Sequence, residues 1–80
     1  MDKQYVCNNV TQVAKKIAEL TNTAIDKETI KQYFYTLKKE KKTSDTFDYT
    51  AFDENEKEHD VTVWLGYDYS TKEWFVSVIE

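Results

Sequence analysis

The chain contains no proline and no arginine, and it has a single glycine, Gly66, and a single cysteine, Cys7. Without proline, helix boundaries must be read from side-chain caps. Without arginine, all eleven basic residues are lysines, and the planar fork that reads guanine bidentately is missing. One glycine excludes a glycine-rich phosphate loop. One cysteine excludes an intrachain disulfide and with it the small secreted scaffold built on disulfides. Cys7 and the lone His59 cannot complete a four-ligand zinc site, and no stretch approaches the roughly 18 apolar residues of a membrane span. Met1-Asp2-Lys3-Gln4 begins no apolar run, so the cytoplasm is the expected compartment.

Aromatic residues are abundant instead: four Phe, six Tyr and two Trp. Eighty residues make one domain, 1–80, near the lower limit for folding on a hydrophobic core alone. A chain of that size buries roughly 60% of its unfolded surface, and large rings raise the area each core residue contributes.

Two helices open the chain. Asn9 caps the first, with Gln12 three residues on in a capping-box arrangement. Val10, Val13, Ala14, Ile17 and Leu20 then recur at helical spacing to about Thr21. Asp26 caps the second, and Ile25 before it can pack on Ile30 as a hydrophobic staple. Ile30, Phe34 and Leu37 form its buried stripe, with Tyr33 at the edge. This helix fades in Lys38-Lys39-Glu40-Lys41-Lys42, where positive charge suits the C-terminal end of the dipole.

From Thr46 the period changes to two. Thr46 to Phe52, Val61 to Tyr67 and Trp74 to Ile79 read as strands, joined by a long acidic loop, Asp53 to Asp60, and a tighter turn around Ser70-Thr71. Gln4 to Cys7 is a further short edge strand in this reading. The expected class is α+β: a two-helix hairpin packed on one face of a three-stranded antiparallel β-meander. With the last turn centred on Ser70-Thr71, Val63 opposes Val78, Leu65 opposes Val76 and Tyr67 opposes Trp74. That register puts Val61, Val63, Leu65, Trp74, Val76 and Val78 under the helices. Trp64, Phe75 and Ile79 then lie on the other face, with Phe52 joining from the neighbouring strand and Phe75 beside Gly66, where an aromatic covers the gap a glycine leaves.

Three surfaces are candidates for function. The first is that uncovered face, because a contiguous patch of Trp, Phe and Ile on a small domain marks a protein-binding or self-association site. The second is the acidic arc. Residues 43–80 carry ten acids and two lysines, a net of −8, densest at Glu54, Glu56, Glu58 and Asp60. It is either a solvated loop or a negative surface that docks on a basic partner or occupies a nucleic-acid-binding groove. The third is a lysine stripe. Residues 1–42 carry nine lysines and five acids, a net of +4. Lys27, Lys31, Lys38 and Lys42, with Tyr35 between them, are expected on one exposed face of the second helix. They either pair with the acidic strands or engage phosphates.

Val13-Ala14-x-x-Ile17, a short turn, then Asp26-Lys27-Glu28-Thr29-Ile30-x-x-x-Phe34-x-x-Leu37 resembles a winged helix-turn-helix over roughly residues 10 to 67, with the strands as the wing. The resemblance implies a DNA-binding transcriptional regulator whose recognition helix is the second, contacting DNA through Lys27, Lys31, Tyr35 and Lys38. The residues themselves favour another reading. Carboxylates cluster in an exposed turn where nothing raises a pKa, so no catalytic, metal or cofactor site is assigned. The expectation is a non-enzymatic interaction module that binds a cellular or host protein, or a second copy of itself, through the aromatic face or the acidic rim. Small size and lysine-only composition fit an inhibitor or adaptor encoded by a phage or mobile element of AT-rich genome.

Overall fold

The computed structural model describes residues 3–79; Met1, Asp2 and Glu80, which enter the charge counts above, lie outside the described residues. The element order is β1 (Tyr5–Cys7), α1 (Val10–Thr21), α2 (Lys27–Lys39), β2 (Ser44–Phe52), β3 (Glu58–Asp68) and β4 (Glu73–Ile79). The strands form one antiparallel sheet in the order β1-β4-β3-β2. The fold is α+β, as the change of hydrophobic period predicts, and the short N-terminal edge strand is present as the fourth strand.

Side-chain caps set the helices. Asn9 is extended and accepts the Gln12 N–H at 2.9 Å. Gln12 in turn accepts the Asn8 N–H at 2.8 Å, so the box closes one residue earlier than a standard capping box. Asp26 accepts the Glu28 N–H at 2.9 Å. At the other end of α2, Lys41 takes the left-handed conformation (φ 57). The Lys42 N–H bonds the Leu37 carbonyl at 2.9 Å and the Lys41 N–H bonds that of Lys38 at 3.2 Å, a Schellman closure. Lys42 therefore lies beyond the helix in the turn, not on the α2 stripe where its spacing alone placed it.

Val13 and Ile17 of α1 and Ile30 and Leu37 of α2 are fully buried. Thr21, the last residue of α1, is buried too, and its hydroxyl donates to the Ile17 carbonyl at 2.7 Å. Beneath the helices lie Val61, Val63, Leu65, Trp74 and Val76, with Val63 opposite Val78, Leu65 opposite Val76 and Tyr67 opposite Trp74. Phe34 wedges edge-on against Trp74 (4.2 Å between centroids) and Tyr67 (4.7 Å). Tyr33, placed at the rim by sequence, stacks on Phe47 at 4.3 Å and ties α2 to β2.

Two sequence expectations change. The strands run through most of the acidic segment: β2 reaches Phe52 and β3 starts at Glu58, paired with it. The connection therefore shrinks to 53–57, organised by Asp53, whose carboxylate accepts the N–H groups of Asn55 (2.8 Å) and Lys57 (2.9 Å). Because β4 pairs only with Thr62 to Asp68 of β3, the far end of β2–β3 continues as a two-stranded arm, and the described chain extends 41 Å along its longest axis. The loop between the helices braces the arm's outer edge: Thr23 donates to the Thr50 carbonyl at 2.8 Å, Asn22 to that of Phe52 at 3.4 Å, and the Tyr49 hydroxyl to that of Ala24. Second, among the described residues no lysine of the helical half forms an ion pair with a strand carboxylate. Among the described residues the ion pairs are Lys16–Glu19, Lys31–Glu28 and Lys42–Glu40, all within the helical half.

Candidate protein-docking face

Successive residues of a strand point to opposite faces, and cross-strand partners share a face. Since Phe47, Val63, Leu65, Trp74 and Val76 lie under the helices, the partners on the opposite face follow from the register. Trp64 opposes Thr46 and Ser77, Phe75 opposes Gly66 and Val6, and Ile79 opposes Thr62. Among the described residues no helix lies over this face. Trp64 and Phe75 are half-buried, while Ile79 is 39% and Val6 57% exposed.

The floor beneath these rings is made of small residues. A Cβ built on Gly66 would come within 2.5 Å of Cη2 of Trp64 and 3.0 Å of its Cζ2, so the benzo end of the indole rests on the glycine. Ser77 across from Trp64 is also buried. Phe75 lies beside Gly66 as expected, and the ring of Trp64, two residues back on the same strand, makes the nearest contact over the glycine. At the turn end of the face is an open depression of about 570 Å³, within the size range of ligand sites, about 300–1,000 Å³. Its lining includes Gln4, Ser44, Trp64, Asp68, Tyr69 and Phe75.

Phe52 is on this face but outside the patch. Its partner is Glu58, whereas Trp64 pairs with Thr46 six residues back along β2, roughly 20 Å away at about 3.3 Å per residue. Val6 takes its place as an apolar member, through the pairing of β1 with β4. The acidic residues divide. Glu54 and Glu56 sit exposed at the arm's tip, while Glu58 and Asp60 occupy the uncovered face with Asp48, Asp68 and Glu73. That face of the strands thus holds five carboxylates and no lysine. Asp68 Oδ1 accepts from the Ser70 hydroxyl (2.7 Å) and the N–H groups of Ser70 (2.9 Å) and Thr71 (3.3 Å). These bonds, the Ser70 hydroxyl first, hold its carboxyl below the usual range.

On the other layer, Lys27, Lys31, Tyr35 and Lys38 are exposed along α2, Tyr35 at 69%. Lys31 pairs with Glu28 at 3.4 Å, and Lys38 sits 4.8 Å above the ring of Phe34. Lys42 is bound to Glu40 at 3.1 Å, and that contact, through its hydrogen bond first, raises the ammonium pKa. The element in front of α1 is the strand β1. His59, expected in a solvated loop, lies instead in β3 opposite Ala51 and is half-buried. Cys7 is buried, and burial pushes its thiol up, partly offset by Lys16. Among the described residues no three His, Cys, Asp or Glu side chains gather as a metal site, and no helix is long and apolar enough to cross a membrane.

No protein-family model, curated protein or solved structure matches this chain.

Proposed function

We propose that this chain is a cytoplasmic, non-enzymatic interaction module that docks on a partner protein through the uncovered face of its sheet. The observation that carries this reading is the placement of Trp64, Phe75, Val6 and Ile79 on a face without a helix, over a floor of Gly66 and Ser77. Tryptophan and other large rings are the usual anchors of protein interfaces, and an apolar centre rimmed by polar groups is their usual anatomy. Here the rim is acidic. The burial of Trp64 against Gly66 also holds the ring in one orientation before a partner arrives, which lowers the ordering cost of binding.

The test is affinity purification with quantitative mass spectrometry, using the wild type, Trp64→Ala, Phe75→Ala and a Lys31→Ser/Lys38→Ser variant. The reading predicts proteins enriched by the wild type and by the lysine variant and lost from both aromatic variants, with the helical circular dichroism signal retained in all four. Retained capture by both aromatic variants would sink it. So would collapse of helicity in them, which would make those rings core.

A further inference from the structure

We infer that the depression beside Trp64 and Phe75, with Asp68 on its rim, receives the guanidinium of an arginine carried by a basic segment of the partner. The inference rests on the docking face proposed above and adds the chemistry of its occupant.

Three observations carry it. Trp64 and Phe75, which share the uncovered face, both line one open depression, and ring faces attract cations through their quadrupoles, most strongly where water is partly excluded. The carboxylate of Asp68 stands on its rim, where Oδ1 accepts the Ser70 hydroxyl and the N–H groups of Ser70 and Thr71 and is held in place by them. Of the strand acids on this face, Asp48, Asp68 and Glu73 lie toward the depression, and the strand residues of the face contribute no lysine, while the lysine pairs described above lie in the helical half. Lys72, in the adjoining turn, is not part of the lining. The field at the face is therefore negative and draws in a positive partner.

A cation that must both stack on a ring and bond a carboxylate is better served by a guanidinium than by an ammonium. The former is planar, weakly hydrated and forked; the latter is a compact, strongly hydrated point charge. The chain itself has no arginine. The occupant is thus a different protein, and a second copy could offer only lysine.

The experiment uses the full chain labelled with ¹⁵N and follows the two indole N–H resonances, assigned with Trp64→Phe. Acetylated hexa-arginine, hexalysine and hexaglutamate peptides are added in turn. The expected result is a saturable shift of the Trp64 resonance with hexa-arginine, about tenfold tighter than with hexalysine, and none with hexaglutamate. Phe75→Leu, which keeps apolar volume but removes the ring, and Asp68→Asn, which keeps an acceptor oxygen but removes the charge, should each weaken hexa-arginine binding severalfold. Glu54→Gln/Glu56→Gln, at the distant tip, should leave it unchanged. Equal binding of the two cationic peptides, or equal weakening by the tip variant, would reduce the effect to generic attraction and overturn the inference. A Trp64 resonance indifferent to hexa-arginine, or one broadened by concentration-dependent dimerisation alone, would overturn it too. In those cases loss of partner capture by Trp64→Ala would still uphold the docking face, so the two readings fail separately.

Discussion

The indole of Trp64 rests on Gly66, with Cη2 only 2.5 Å from where a Cβ at position 66 would stand. Ring and glycine lie two residues apart on one strand, so the contact is local and depends on residue 66 having no side chain. Gly66→Ala must therefore lift the ring. Alanine is favoured over glycine in a strand by about 0.5–1 kcal/mol, but this gain is offset by the loss of ring contact. The expected outcome is a folded protein of nearly unchanged stability in which Trp64 fluorescence becomes more accessible to acrylamide, measured in a Trp74→Phe background. Unchanged quenching would mean that the ring is not seated on the glycine.

Scarcity of glycine has a cost elsewhere. Asn22, Lys41, Glu56 and Lys72 all adopt positive φ, near 60°, a region glycine enters freely and most side chains avoid. Asparagine tolerates it; lysine does not. At Lys41 the conformation is enforced by the closure of α2 and costs roughly 1–2 kcal/mol, of which replacement by glycine would return a part, offset by about 0.4–1 kcal/mol of added unfolded-state entropy. Lys41→Gly should raise stability by about 0.5–1 kcal/mol, or about 2–8 °C in Tm for a domain this small. Thermal unfolding followed by circular dichroism checks it, and a lower Tm would refute the strain.

The α1 bounds, the cap of α2 and the register of the last hairpin were legible because each rests on short-range rules. Asn9 and Asp26 cap within three residues, and the centring of one turn fixes every pair from Val63–Val78 to Tyr67–Trp74. The uncovered face followed by counting, since two helices cover one side of a sheet. What escaped was set at long range. Glu58 to Asp60 look like loop because nothing local favours a strand of alternating acids; they are strand because Ala51 and Phe52 continue the ladder opposite them. Phe52 shares the face of the patch but not its position, because alternation along a strand assigns a face without giving distance along it. Val6 joins the face through the pairing of a three-residue edge with β4, which no local pattern specifies, and the bracing of Thr50 by Thr23 spans 27 residues. The one local signal for the glycine contact is an aromatic two residues before Gly66 on the same strand.

Acid should loosen the turn between β3 and β4 through Asp68. Its carboxyl is held below the ordinary range by the Ser70 hydroxyl and by the N–H groups of Ser70 and Thr71. A carboxyl with a depressed folded-state pKa stabilises the fold fully above its unfolded value, and that contribution disappears as pH falls through the folded value. Asp68→Asn loses the charge-assisted part of these bonds at every pH. The urea midpoint of the wild type should therefore exceed that of Asp68→Asn at pH 7, and the difference should shrink as pH drops below about 4. A gap independent of pH would assign the stabilisation to something other than the charge.

β1 should be the first element to open. It spans three residues and is paired only along β4, yet it carries Cys7, whose side chain is turned inward and 3% exposed. Its hold on the domain includes the ring of Tyr5, which sits 4.8 Å beneath the ammonium of Lys16 on α1. The thiol is both shielded and, through burial, pushed toward its unreactive protonated form. Labelling of Cys7 by a thiol reagent should then be slower than for a free cysteine by at least about a hundredfold, and limited by fraying of β1, not by global unfolding. Tyr5→Ala should accelerate labelling while leaving the urea midpoint nearly unchanged, because it weakens an element whose opening exposes little core. If labelling instead tracked the global unfolding constant in both proteins across low urea concentrations, β1 would be part of the cooperative unit, and its pairing with β4 would be as strong as that of the central strands.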